Sequence, residues 1–284
     1  MKRITALFAT DFSSSAENAL NYFINFAKPF EVELLVLHVV EVPLIPTEVP
    51  FDGLFDRQVI DQKELSARLM KTTTRIVELC NNIEVKHLLV EGDPQEEIEK
   101  ASERYNVDLI IMGNKKGGVF RRIFSGDTVA DMIESGSRKI LAISEDVHFR
   151  PVKTIVYASA ISFRDHENIN ELSEYAREFD AEIIVLNVKD KLEQEYPEIA
   201  AVMLDEIIEH VHYNNIKLIT KTGTNVAVII KKFTEEMDTD LLVMATHNRS
   251  FLDALLAGST TEKVLNMASQ PMLIFHLKSN TKGW

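Results

Sequence analysis

The sequence predicts an α/β protein made of two tandem doubly wound domains, each an open five-stranded parallel sheet with helices on both faces. Three observations predict it. Short apolar runs alternate with stretches of helical periodicity. Those runs are nearly continuous, the pattern of parallel strands buried on both faces. The alternation then restarts near residue 151, and 284 residues suit two domains of about 140 residues each.

Each element has its own reason. ITALFA (4–9) is a short apolar strand, and the helix over 13–28 puts Ala19, Leu20, Phe23, Phe26 and Ala27 on one face. ELLVLHVV (33–40) follows as a buried strand, then the Pro-rich insert 42–50 as a loop. A helix (about 61–81), a strand (about 84–90) and a helix over 93–105 come next, the last with Asp93 as N-cap and Pro94 at its first position. DLIIMG (108–113) is a further strand; a Gly-rich loop, a helix over about 127–136 and the strand KILAIS (139–144) close the set. A short linker leads to Pro151, which places the domains at 1–146 and 151–284.

The second half repeats the first. ATDFS (9–13) aligns with ASAIS (158–162) at an offset of 158 − 9 = 149, and ELLVLHV (33–39) with EIIVLNV (182–188) at the same offset. DLIIMG (108–113) aligns with DLLVMA (240–245) at 240 − 108 = 132, so the first half carries 149 − 132 = 17 extra residues, mostly between its second and third strands. Two long registers bounding one length change indicate duplication.

Composition excludes several classes of function. The net charge of −13, with no basic block, disfavours binding a nucleic acid, whose affinity rests on Lys and Arg displacing counterions. No apolar run approaches the ~20 residues that span a bilayer, and the N-terminal stretch reads as a first strand rather than a signal peptide. The single cysteine, Cys80, has no internal disulfide partner, which together with these features points to a cytoplasmic protein. His210 and His212 lie two apart in a helix-like stretch and point away from each other, so no metal site is expected. A Walker lysine after the Gly-rich loops and a nucleophile-elbow serine are both absent.

In a doubly wound sheet, ligands bind beyond the carboxyl ends of the strands, where strand order reverses. In the first half that places Asp11, the backbone at Val39 and the loop GNKKGGVFRRIFSGD (113–127) together. ATDFSSSAENAL (9–20), GDP (92–94), DLIIMG (108–113) and THNRSFLDALLAGSTTEKVL (246–265) resemble segments of the universal stress protein family, in its tandem two-domain class. The resemblance covers nearly the whole chain and implies the adenine nucleotide alpha hydrolase-like fold. Members that bind ATP carry Gly-x2-Gly-x9-Gly-(Ser/Thr) after the fourth strand, whose glycines admit the phosphates to backbone amides and to a helix start. An Asp after strand one and the backbone after strand two serve the adenosine.

Carried over on that resemblance, the first half keeps Asp11, Val39, Gly113 and Gly126. It has Lys116 in place of the second glycine, beside Gly117, and Asp127 in place of the Ser or Thr. A carboxylate there opposes a triphosphate, although it suits the helix dipole. The second half keeps Val188, His247, Gly258, Ser259 and Thr260, but has Ala245, Asn248 and Ala160 where the first glycine, the second glycine and the Asp belong. Neither half is complete.

The expected function is therefore a non-catalytic stress-response protein with weak, altered or lost adenine-nucleotide binding, acting through ligand-modulated or surface-mediated interactions. Two alternatives stand beside it: a true ATP-binding stress protein with one working pocket, with or without slow hydrolysis, and a pure scaffold with both pockets decayed. The cofactor expected is ATP or another adenine nucleotide, with Mg only as its companion. KILAIS (139–144) and MLIFHL (272–277) are the edge strands through which the halves are expected to pair as a pseudo-dimer. A homodimer of chains and protein partners stay open; a membrane partner is not expected.

Overall fold

In the computed structural model of the chain, the described residues are 2–41, 62–114, 138–159, 165–189, 202, 205–206, 209, 211, 213–246 and 270–276. The Pro-rich insert 42–50 and the helix expected over about 127–136 lie outside them. The first half runs β1 (Arg3–Ala9), α1 (Ser14–Phe26), β2 (Glu31–Val40), α2 (Gln62–Leu79), β3 (Ile83–Glu91), α3 (Pro94–Arg104), β4 (Leu109–Asn114) and β5 (Lys139–Ser144). The second runs β6 (Thr154–Ala158), α4 (Asp165–Phe179), β7 (Glu182–Lys189), β8 (Ile216–Thr222), α5 (Val226–Glu236), β9 (Leu241–Thr246) and β10 (Met272–His276).

Local signals account for the helices. Ser13 caps α1 by accepting from the Ala16 N–H, and all five residues of the expected apolar face are buried. Asp93 caps α3, accepting from the N–H groups of Gln95 (3.0 Å) and Glu96 (3.1 Å), with Pro94 beside it. Asn106 and Asp238, at equivalent places after α3 and α5, take positive φ and let the next N–H reach back to Ser102 and Thr234.

The described strands form one sheet of ten, in the order β3-β2-β1-β4-β5-β10-β9-β6-β7-β8. Each half is parallel throughout and reads 3-2-1-4-5 from its outer edge. The outer strands β3 and β8 carry Lys86 and His87, and Lys217 and Lys221, charges that discourage further strand addition. The ladders reproduce the sequence offsets. Leu7 pairs with Leu35 and Val156 with Ile184, while Ala6 pairs with Leu109 and Ile155 with Leu241. They also refine the insertion. Leu34 pairs with Val85, 85 − 34 = 51 residues on, and its equivalent Ile183 with Ile216, 216 − 183 = 33 residues on. The excess between second and third strands is thus 51 − 33 = 18, and the second half recovers one residue in the turn Gly223–Asn225 before α5.

The halves meet where β5 and β10 run antiparallel, with Leu141 opposite Leu273, Ile140 opposite Ile274 and Ala142 opposite Met272. Leu141 and Leu273 are equivalent positions of the repeat, so a local two-fold passes between them. On one face of the sheet the same axis brings Phe26 and Phe30 of α1 and its following turn against their equivalents Tyr175 and Phe179. Phe26 lies 4.9 Å from Phe179, and Phe30 lies 5.6 Å from Tyr175, ring centre to ring centre. Among the described residues that face is one continuous apolar core, whereas the opposite face holds two clusters, one mainly of each half, which borrow Ile274 of β10 and Ala142 of β5 across the junction. Lys139 pairs with Glu171 and Lys2 with Glu174 (2.6 Å) around the aromatic cluster. Arg150, in the linker, reaches Asp240 at 2.5 Å.

Candidate functional site

The order 3-2-1-4-5 makes the crevice between β1 and β4 the point where connections diverge, and ligands favour such a place. Asp11 lies just beyond β1, exposed to solvent; its Oδ1 accepts from the Ser13 N–H at 2.9 Å. Between them Phe12 takes φ +58°, a left-handed conformation that costs a bulky residue about 1–3 kcal/mol. The Phe12 N–H, bonded to Thr10 Oγ1 at 3.0 Å, helps hold the turn.

Gly113 lies near the end of β4, directly beneath the first turn of α1. A Cβ built on it would come within 2.5 Å of the Ser15 carbonyl carbon and 2.6 Å of the Ala16 nitrogen. Backbone-to-backbone packing therefore requires glycine here, whatever the crevice holds. Val39 is partly buried on the opposite side of the sheet, against the core beneath α3. Asp11, Val39 and Gly113 thus come from three neighbouring strand ends at one edge of the first half. Gly117, Gly126 and Asp127 lie outside the described residues, as do His247, Asn248, Gly258, Ser259 and Thr260.

Two further side chains complete this edge, and neither was singled out from the sequence. His38, on β2, places its ring 4.5 Å from that of Phe12, and its Nδ1 donates to the Thr10 carbonyl at 2.7 Å. Arg68, on α2, holds its guanidinium 4.3 Å over the Phe12 ring.

The equivalent edge of the second half is built differently. Val188 is partly buried against that half's own core, in a position matching Val39. Asp165, the first residue of α4, is 1% exposed, with Oδ1 accepting from the hydroxyls of Tyr157 and of Ser159 (2.9 Å). Asn168 donates to the Tyr157 hydroxyl at 3.1 Å. Burial and the neighbouring Asp165 carboxylate push the Tyr157 phenol well above its ordinary range. At the 149-residue offset, Tyr157, Asp165 and Asn168 replace Phe8, Ala16 and Ala19, so a polar cluster stands where the first half has apolar contacts.

Among the described residues no group of three or more His, Cys, Asp or Glu side chains could hold a metal ion. No helix among them is long and apolar enough to cross a membrane. Cys80 is buried, and burial raises its thiol pKa, which keeps it protonated and poorly nucleophilic.

The family model described as "Universal stress protein family" matches this chain twice, over residues 2–143 and 165–276. Two universal stress proteins of Methanocaldococcus jannaschii are similar to it. One is 28% identical over 149 residues, covering 48% of this chain and 92% of the relative; the other is 26% identical over 137 residues, covering 48% and 79%. Among solved structures, a universal stress protein from Archaeoglobus fulgidus superposes with a TM-score of 0.73 at 19% identity, covering 96% of this chain and 98% of that one. One from Pseudomonas aeruginosa gives 0.57 at 14% identity, covering 96% and 92%. At these identities the structural likeness concerns the fold.

Proposed function

Because the chain belongs to the universal stress protein family, with two tandem copies of its domain, we propose that it is a non-catalytic stress-response protein that takes an adenine nucleotide weakly, in its first half. One observation carries this reading. The first half leaves the Asp11 carboxylate exposed at its crevice, whereas the second half has Ala160 at the equivalent sequence position and its Asp165, at the start of α4, is buried and committed to Tyr157 and Ser159. An exposed carboxylate suits ribose hydroxyl donors; a buried, hydrogen-bonded one has no capacity to spare for them.

The residues present fit such a group in outline: Asp11 for the sugar, the backbone at Val39 for the base and Arg68 for an anion. Gly117, Gly126 and Asp127 belong to the same proposed site, and Val188, His247, Asn248, Gly258, Ser259 and Thr260 to its counterpart. The second half then serves as the partner surface. Pairing of β5 with β10 already joins the halves within one chain, and we take the chain to act as a monomeric pseudo-dimer that meets partners through ligand-modulated surfaces.

The experiment is a calorimetric titration of the full chain with ATP and Mg, together with analysis of small molecules released on denaturation. One site per chain is expected, weakened about tenfold in Asp11→Ala by loss of a hydrogen bond to a charged group, and no turnover. Two equal sites, or an unaffected Asp11→Ala variant, would overturn the division of labour. Neither heat nor released nucleotide would favour a pure scaffold.

A further inference from the structure

We infer that Arg68 is an anion-recognition residue of the first half's crevice, mounted on Phe12, and that it takes the phosphate of a nucleotide in preference to the neutral nucleoside. This deepens the reading above and rests on it for the identity of the ligand.

The guanidinium has an aromatic contact but no hydrogen bond or ion pair among the described residues. Glu64 lies one turn earlier on α2, at a spacing that often pairs, yet the two do not pair. Contact with the Phe12 ring anchors the guanidinium without using its N–H donors, which stay available for the paired hydrogen bonds with which Arg grips phosphate oxygens. Arg75, two turns further along α2, is different: it is spent on Glu17 and contacts Asn21.

The ring beneath Arg68 is placed at a cost. Phe12 adopts left-handed backbone, and its side chain reaches His38 on one strand and Arg68 on a helix. Such strain in a bulky residue persists where the surroundings enforce it, and it concentrates at ligand sites. The duplication supplies an internal control. At the 149-residue offset Phe12 becomes Ile161 and His38 becomes Asn187, although strand order and register are the same in both halves. The shared strand order therefore does not demand the aromatic or the imidazole. They belong to the half whose carboxylate stays exposed, and at the edge where parallel sheets bind their ligands.

The test compares adenosine, AMP and ATP on the full chain and on Arg68→Ala, Arg68→Lys and Phe12→Leu, with inorganic triphosphate as a base-free probe. Arg68→Ala is expected to weaken ATP about tenfold or more while adenosine changes less than about twofold. Arg68→Lys keeps the charge but not the planar fork and should fall between. Phe12→Leu removes the platform and should move ATP in the same direction. If ATP keeps its advantage over adenosine in Arg68→Ala, the assignment of Arg68 is overturned while nucleotide binding stands. If the wild-type chain binds no adenine compound, the proposed function fails, and triphosphate alone decides: binding lost in Arg68→Ala supports the anion site, and no binding to the wild type overturns it.

Discussion

Gly113 of β4 and Ser15 of α1 approach so closely that a single added Cβ would lie 2.5 Å from the Ser15 carbonyl carbon. The obstacle is backbone rather than a flexible side chain, so α1 itself must shift to admit it. Gly113→Ala is expected to destabilise the chain by about 1–3 kcal/mol, the usual cost of overpacking. Urea denaturation measures it. If Gly113→Ala were to lose nucleotide affinity at unchanged stability, packing would not be the reason for the glycine.

Tyr157, Asp165 and Asn168 form a unit. Removing the phenol hydroxyl leaves two buried groups short of a partner, and Tyr157→Phe is expected to cost about 1–3 kcal/mol. The triple variant Tyr157→Phe, Asp165→Ala, Asn168→Ala copies Phe8, Ala16 and Ala19 of the first half. It should cost less than the sum of its three single changes, because only Ser159, which also donates to Asp165, then loses a partner. Additive losses in chemical denaturation would show that the cluster is not coupled.

Much of the fold was legible because its signals are periodic and repeated. The Asp93 cap forms as read, the buried runs and both offsets reappear in the strand ladders, and the ladders differ from the sequence count of 17 extra residues only by moving one residue into the turn before α5. The site was less legible. Asp165 in sequence is an acidic residue near a helix start, a place where acids are common on dipole grounds, and nothing adjacent announces that it is buried. A signal was nevertheless present: Phe8, Ala16 and Ala19 all become polar at the same offset, and three coordinated changes on one buried face imply a network. Arg68 carried no such signal. A cation on the outer face of a polar helix reads as solvation until the ring beneath it is seen.

Alkaline pH should unfold the chain through its tyrosines. Burial first, then nearby carboxylates, raise the phenol pKa values of Tyr22 (Asp240), Tyr157 (Asp165), Tyr175 (Glu171) and Tyr213 (Asp180). The folded state thus holds these protons more tightly than the unfolded chain, whose phenols titrate near pH ~10. The stability they confer is complete below that pH and is lost as pH climbs above it. Phenolate absorbance from the buried rings should therefore rise together with loss of the circular dichroism signal. Full phenolate absorbance from Tyr22, Tyr157 and Tyr175 with the fold intact would contradict their burial.

Tyr175 offers a stabilising change. It is 1% exposed at the two-fold between the halves, packed on Phe30 and Phe26, with the Lys2 ammonium 4.3 Å from its ring centre. Its hydroxyl is buried and has no hydrogen-bond partner among the described residues. The equivalent position in the first half is Phe26, so the fold already accepts a phenyl ring across the axis. Tyr175→Phe keeps the aromatic packing and the cation–π contact and removes only the orphaned dipole. It is expected to raise stability by about 1 kcal/mol, near the lower end of the desolvation penalty for one unsatisfied group. The reverse change, Phe26→Tyr, should lower it by a similar amount. Paired urea midpoints at equal m-values decide the matter. A loss of stability in Tyr175→Phe would mean that the hydroxyl is bonded in solution, and the interface between the halves would then be polar at its centre.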